Sequence, residues 1–453
     1  MRKERKNLGR REFLGYTGKL AAGALALNAA HQPAGAAPSA KMKLAMVGTG
    51  SRGSGTWGRR LLQTHSDYVE MVGFCDINPK RLAQAPAYCN VDAPTYVARD
   101  FDRMVRETKP DAVIITTPDS FHVPYAIRTL ELGADVISEK PLATDAEQCQ
   151  ALLEAEIRTG KTVFTTFNAR HGIAAEEIKR ILLSGELGRI ISAEFAEYLD
   201  VNHGASYFRR WHGKMRFSGS LLCHKASHHF DQMNWWLESE PEEVNAFGKV
   251  AFYGKNHSFR STHCRKCSFT DQCRFYWDIT KSPRMMELYV ANEDADGYLR
   301  DGCVWDNDID TYDSMSVEVK YANDVLLTYS LNTFMPYEGQ RIAFNGEKGR
   351  LDMRRYQRQP WKVKGAADFR LTKSFEGTKT WTVASSRGEH GGSDVKLKDL
   401  LFKPGAEDPT GKLAGSRAGI MSSLIGIAAR QSIETGRRVK IRDLVDFPAT
   451  WTW

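Results

Sequence analysis

One short stretch, KLAMVGTGSRG at residues 43–53, constrains the fold more than any other. An apolar β-type run from Lys43 to Val47 leads into Gly48-x-Gly50-x-x-Gly53, and a helical pattern, WGRRLLQTH, follows. Three glycines at this spacing are weak evidence alone. With a strand before them and a helix after them, they predict a tight strand-to-helix turn that a pyrophosphate can approach. The free N–H groups and dipole of the helix start then favour the phosphate charge, which assigns Gly48, Gly50, Ser51, Arg52 and Gly53 to a nucleotide. The next strand, in VEMVGFCDINPKR, ends at Asp76, 23 residues beyond Gly53. A carboxylate there accepts from the adenosine ribose hydroxyls and repels a 2′-phosphate, so NAD is expected, with Arg52 and Arg81 leaving NADP open.

The alternation of strand and helix continues. DAVIITTP, ADVISEKP and KTVFTTFNAR read as buried strands, separated by the helical patterns DSFHVPYAIRTLELG and DAEQCQALLEAEIRTG. Repeated β–α units predict a doubly wound parallel sheet of the α/β class. Ligands sit beyond the carboxyl ends of such strands, where Thr117, Pro118, His122, Glu139, Lys140 and Asn168 fall. Arg170 lies two residues further on and is expected at the substrate. The expected division is a leader and linker at 1–40, a nucleotide-binding domain at 41–165 and a second domain at 166–453, with a cysteine-containing insertion at about 255–305.

Taken together, GxGxxG, Asp76, Thr117-Pro118-Asp119-x-x-His122 and Glu139-Lys140-Pro141 resemble the glucose-fructose oxidoreductase / inositol dehydrogenase family (Gfo/Idh/MocA). The likeness extends to GELGRIISAE, residues 185–194. It implies a C-terminal α+β domain with an open, mostly antiparallel sheet. It also implies hydride transfer between a nicotinamide ring and a carbinol carbon of a sugar or polyol, and a homo-oligomer, dimer or tetramer. The residues agree: a lysine at a strand end can hold the reacting hydroxyl and favour its alkoxide-like transition state.

GSLLCHKASHHFDQMNWW, residues 219–236, holds three of the twelve histidines. Its apolar spacing predicts a helix. In the family an acid-x-x-x-His pair in this helix faces the substrate. Here the histidine is His228, but His224 stands at the acid's position and Lys225 is added. His228 is expected to take the hydroxyl proton, with Lys225 and His224 as substrate contacts or tuners of its pKa. His224 and His228 could also fork a metal, given a third ligand from His203 or His212. His229 and Asp231 are expected to be structural. Upstream, HGASYFRRWH brings aromatic faces and charged donors together, so Tyr207, Arg209, Trp211 and His212 are expected along the substrate wall.

The formal charge is +8, but residues 1–36 carry seven basic and two acidic side chains, leaving about +3 for the rest. That balance gives nucleic-acid binding no support. Arg10-Arg11 followed by Phe13-Leu14, a weakly apolar run and small residues near Ala36 and Ala40 reads as a twin-arginine (Tat) signal. Export to the periplasm or beyond, by the Tat translocase, is expected. A secreted enzyme has no pool of free nicotinamide cofactor, so one that stays bound and is restored in each cycle is expected. Coupled oxidation and reduction of two sugars does this, and so does redox-neutral glycoside cleavage through transient C3 oxidation. A non-catalytic carbohydrate-binding protein on the same fold is the remaining alternative. Of eight cysteines, Cys264, Cys267, Cys273 and Cys303 cluster, compatible with a structural zinc, disulfides or free thiols. Cys75, Cys89, Cys149 and Cys223 are expected to be buried and inert.

Overall fold

A computed structural model of the chain describes residues 40–363, 365–384 and 389–448. The twin-arginine segment lies outside the described residues.

Six strands form the first sheet: β1 (Met42–Val47), β2 (Val69–Asp76), β3 (Thr95–Val97), β4 (Ala112–Ile115), β5 (Asp135–Ser138) and β6 (Val163–Thr165). All are parallel, in the order β6-β5-β4-β1-β2-β3. Strand order reverses between β1 and β4, which opens a crevice at their carboxyl ends. The strands read as continuous apolar runs because both faces are covered; all four residues of β4 are fully buried. Val113, Ile114 and Ile115 each contribute roughly 1.5–3 kcal/mol of burial.

The second sheet is built from β7 (Ile190–Asp200), β8 (Pro241–Lys249), β9 (Ser314–Tyr321), β10 (Leu326–Met335), β11 (Glu338–Gly346), β12 (Gly349–Gln357), β13 (Ala367–Lys373) and β14 (Gly377–Val383). Two short strands complete the set: β15 (Ala414–Gly415) pairs with β6 on the first sheet, and β16 (Val439–Lys440) pairs with β8. The order β14-β13-β12-β11-β7-β10-β9-β8-β16 is antiparallel throughout except for β10 beside β7. The expected α/β nucleotide domain and mostly antiparallel second domain are both present. The alternation in DSMSVEVKYANDVLLTYSLNTF reads as a hairpin turning at Ala322–Asp324, and β9 and β10 pair in that way.

Two helices differ from their sequence patterns. The pattern AGIMSSLIGIAARQSIETGRRVKI reads as an amphipathic helix stopped by Gly436; the helix Ser416–Thr435 does end there, but Gly419 through Ala429 is buried on every side, so it is a core helix. It packs on β8, β6 and the histidine-rich stretch. That stretch is not one helix but two, Leu221–His224 and Ser227–Leu237, broken at Lys225-Ala226.

The longer piece is stitched to the segment that follows β6. Arg170 donates to both oxygens of the fully buried Asp231, at 2.7 and 2.5 Å, and to the Gly411 carbonyl. Gln232 donates to the Ala169 carbonyl (3.0 Å), and Trp236 to that of Ala175 (3.0 Å). Arg170 is therefore a clamp between the turn after β6 and this helix, not a substrate residue: its guanidinium is spent on Asp231, which is structural as expected.

The cysteine-bearing insertion also corrects an expectation. Cys264, Cys267, Cys273 and Cys303 converge on one small void lined by Phe259, Phe275 and Trp305, and all four are free thiols here. Among the described residues, no group of three or more His, Cys, Asp or Glu is placed to hold a metal ion. That removes the support for a structural zinc and for the His224–His228 fork. Arg209 donates to the Cys264 sulfur (3.3 Å) and the Phe275 carbonyl. Its guanidinium is thus engaged by the insertion, although Arg209 also lines the large cavity. Cys75, Cys89, Cys149 and Cys223 are buried and free.

Candidate active site

A cavity of about 1520 Å³ runs from the glycine turn past Lys140 to β11 and β12. Ligand pockets of about 300–1,000 Å³ hold one small molecule, so this one has room for a dinucleotide and a second reactant.

Its inner end is the glycine turn. Gly48 has φ +93°, and a Cβ there would lie 2.7 Å from the Thr116 carbonyl carbon. A Cβ on Gly53 would lie 2.0 Å from the Gly48 oxygen. Only glycine fits either position, and the turn feeds a wide (π) helix, Ser51–Arg60. Asp76 sits at the end of β2, where it accepts from the Thr49 N–H and hydroxyl (2.6 and 2.9 Å), the Asn78 N–H and Arg81.

Arg52, Glu139 and Asn168 form one network beside the turn. The Arg52 Nε donates to Glu139 (2.6 Å), as does the Trp57 indole (2.7 Å). Asp394 ties in Arg52 (3.3 Å), Asn168 (2.7 Å) and His390 (2.7 Å). Burial pushes the Glu139 carboxyl up, but Arg52 and Trp57 outweigh it and hold it below the usual range. Thr117 and Pro118 also line the cavity, and the buried Thr117 hydroxyl has no partner within the chain. His122 places its two ring nitrogens on the carbonyls of Pro141 (2.7 Å) and Thr117 (3.0 Å), bracing two strand ends together. Burial lowers the pKa of that ring, against the two carbonyls, which favour its charged form. A glycine cradle with an unpartnered hydroxyl beside it fits a nicotinamide dinucleotide.

Lys140 follows β5, and its peptide bond to Pro141 is cis. Its ammonium donates to the His224 carbonyl (2.7 Å) at the break in the histidine-rich stretch. Burial lowers its pKa to about 8, against the opposing charges of Asp119 and Glu139. A lysine so placed can both hold and lose a proton near neutrality.

Around Lys140 stand the predicted substrate residues. The His224 Nδ1 is 2.6 Å from Asp119, and burial drives both toward their neutral forms. His212 stacks on Trp211 (ring centroids 3.5 Å apart) and meets His224 edge-on (4.2 Å). Tyr207 closes the same wall against His212 and His224. His228 lines the cavity, and its Nδ1 is without a partner. Burial, then the charges of Lys140 and Lys225, keeps it well below an ordinary imidazole. Lys225 reaches the buried Glu197 (3.2 Å); burial lowers its pKa, but Glu197 more than offsets this, raising it to about 12.

Two carboxylates here escaped the sequence reading. Asp119 supplies the acid missing at position 224, but from 105 residues away. Glu197 supplies the counter-charge for Lys225 from β7. Asp119 lies inside the TPDxxH motif, so that motif held the only sequence signal. His390, in a glycine-rich loop, lines the cavity, with Asp394 behind it as its hydrogen-bond partner.

The family model "Oxidoreductase family, NAD-binding Rossmann fold" matches residues 42–167, and "Oxidoreductase family, C-terminal alpha/beta domain" matches 179–441. YteT of Bacillus subtilis, named as an oxidoreductase, is 33% identical over 430 residues, covering 88% of this chain and 98% of YteT. Inositol 2-dehydrogenase of Salmonella typhimurium is 30% identical over 207 residues, covering 46% of this chain and 57% of the enzyme. In fold, the chain is similar to the WlbA dehydrogenase from Bordetella pertussis, solved with NADH and UDP-GlcNAcA (TM-score 0.60, 19% identity, 88% and 99% coverage). With both halves matched and the glycine cradle and strand-end lysine in place, the chain belongs to the Gfo/Idh/MocA family of NAD(P)-dependent oxidoreductases.

Proposed function

We propose that the protein transfers hydride between a carbinol carbon of a sugar or polyol and a tightly held NAD, with Lys140 as the proton-transfer residue. The observation that carries this is the half-buried Lys140 ammonium, held on the His224 carbonyl with a pKa lowered to about 8, at the meeting point of the nucleotide crevice and the histidine wall. NAD supplies the hydride acceptor. The chain holds it through the turn at Gly48–Gly53, Asp76, Thr117 and the Arg52–Glu139–Asn168 network.

Lys140 takes the carbinol proton during oxidation and returns it during reduction. His228, kept well below an ordinary imidazole by burial and then by its cationic neighbours, makes a poor base; it lines the cavity as a neutral wall of the site. This moves the proton from His228, where sequence alone puts it, to Lys140. Lys225, held charged by Glu197, donates to a substrate oxygen but does not release its proton near neutrality. Tyr207, Trp211 and His212 give a sugar ring its apolar face.

The pH dependence follows. Oxidation needs Lys140 neutral, so kcat for oxidation is expected to rise as pH passes upward through about 8. Reduction needs it charged and is expected to fall over the same interval. A flat profile for both directions between pH 6 and 10 contradicts the assignment.

The twin-arginine segment supports export by the Tat translocase. Replacing Arg10 and Arg11 with lysine is expected to leave the protein in the cytoplasm, as cell fractionation would report. The exposed Phe247 and Leu326 on the second sheet support a homo-oligomer. A resident cofactor serves net sugar oxidation coupled to a second reduction, and equally redox-neutral cleavage. Product analysis separates the two, since only cleavage releases an aglycone without net oxidation.

A further inference from the structure

The insertion belongs to the second domain, yet residues 284–300 reach back onto the first. The Tyr289 hydroxyl accepts from the Ser51 N–H (3.0 Å), the N–H that opens the helix after the glycine turn. The Asn292 carbonyl accepts from the buried side chain of Asn78 (2.8 Å). Asp294 pairs with Lys80 (2.6 Å) and Asp296 with Arg81 (3.0 Å). The partners are therefore the glycine turn and the residues directly after Asp76, the places where a pyrophosphate and an adenosine ribose bind in this crevice. On the far side Arg284 lies over the Tyr88 ring (5.0 Å). It closes on Gly55, where a Cβ would sit 2.7 Å from its Nη2. The Arg284 Nε is buried with no partner in the chain. Tyr289, Asp296 and Arg284 all line the cavity.

We propose that the inserted segment is part of the dinucleotide site: Tyr289 and Asp296 wall in the pyrophosphate and the adenosine ribose, so the cofactor leaves only when this segment lifts. The proposal rests on the reading of the chain as a nicotinamide-dependent enzyme. It gives that reading a retention device within a single chain. It also sets cofactor choice. Arg81 is held between two carboxylates, Asp76 and Asp296, so it is not free to meet a 2′-phosphate. Without Asp296, Arg81 is freer to pair with that phosphate.

The test uses purified full-length protein loaded with NADH, whose fluorescence falls on release into excess NAD. Wild type is expected to keep close to one nucleotide per chain through gel filtration. Tyr289→Phe is expected to release it about tenfold faster or more, and Asp296→Asn to shift preference toward NADP by about tenfold. Unchanged release and unchanged preference in both variants overturn the proposal, as does tighter binding in either, which would make the segment a competitor. Hydrogen exchange on wild type needs no variant: NAD is expected to slow exchange across 284–300, and no change there contradicts the clamp. A wild type that binds no nicotinamide nucleotide at all overturns the enzymatic reading itself, a result distinct from a fast release.

Discussion

Lys140→Met is expected to lower kcat for hydride transfer by about 10²–10⁴-fold, the range of a lost general acid–base group, with bound nucleotide content unchanged. Methionine keeps most of the aliphatic stem but neither holds nor moves the proton. Lys140→Arg is the sharper variant. Its guanidinium keeps the charge and can still hold an oxygen, but its pKa above 12 stops it accepting a proton at working pH. If Lys140 only holds charge, Arg rescues; if it transfers the proton, Arg is nearly as slow as Met. Steady-state kinetics with a turned-over polyol, alongside nucleotide content by absorbance, reads both. A Lys140→Met enzyme within a few fold of wild type ends the assignment.

Asp231→Ala is expected to destabilise the protein by about 3–5 kcal/mol, because it leaves Arg170 buried without its counter-charge. Asp231 is wholly buried and Arg170 nearly so. The pair also joins the strand-end turn after β6 to the helix carrying His228. Activity is therefore expected to fall along with the denaturation midpoint. An Arg170→Met/Asp231→Leu double variant removes both charges and is expected to recover part of the stability, since an absent pair costs less than a broken one. Urea denaturation followed by tryptophan fluorescence gives the comparison. A loss below about 1 kcal/mol in the single variant contradicts the role given to the pair.

These two residues show what sequence could and could not carry. Lys140 was legible because its evidence is local: a strand-end lysine before proline, at a set distance from a glycine turn. Gly48, Gly53 and Asp76 were legible for the same reason, as were the strands whose apolar runs need burial on both faces. Arg170 was misread because an arginine at a strand end looks the same whether a substrate or a distant Asp231 satisfies it. Asp119 and His224 were each in view, but 105 residues separate them and only the fold makes them a pair. The break at Lys225-Ala226 was hidden too. Apolar spacing across 221–237 satisfies one helix as well as two, and what favours the break is tertiary: the His224 carbonyl meets Lys140 there. The cysteines misled in the opposite way. Their clustering is real, but aromatic rings and the Arg209 guanidinium occupy the surroundings that a metal site would need.

The most direct measurement is a single turnover of the as-purified protein. No nucleotide is added, a panel of sugars and polyols is offered, and the absorbance of reduced nicotinamide is followed in wild type and Lys140→Met. The expected result is a substrate-dependent rise approaching one equivalent per chain in wild type, abolished in the variant although its nucleotide content is equal. Protein that carries no nucleotide and stays silent when NAD is supplied, or a variant that reduces its cofactor as fast as wild type, would contradict the central claim.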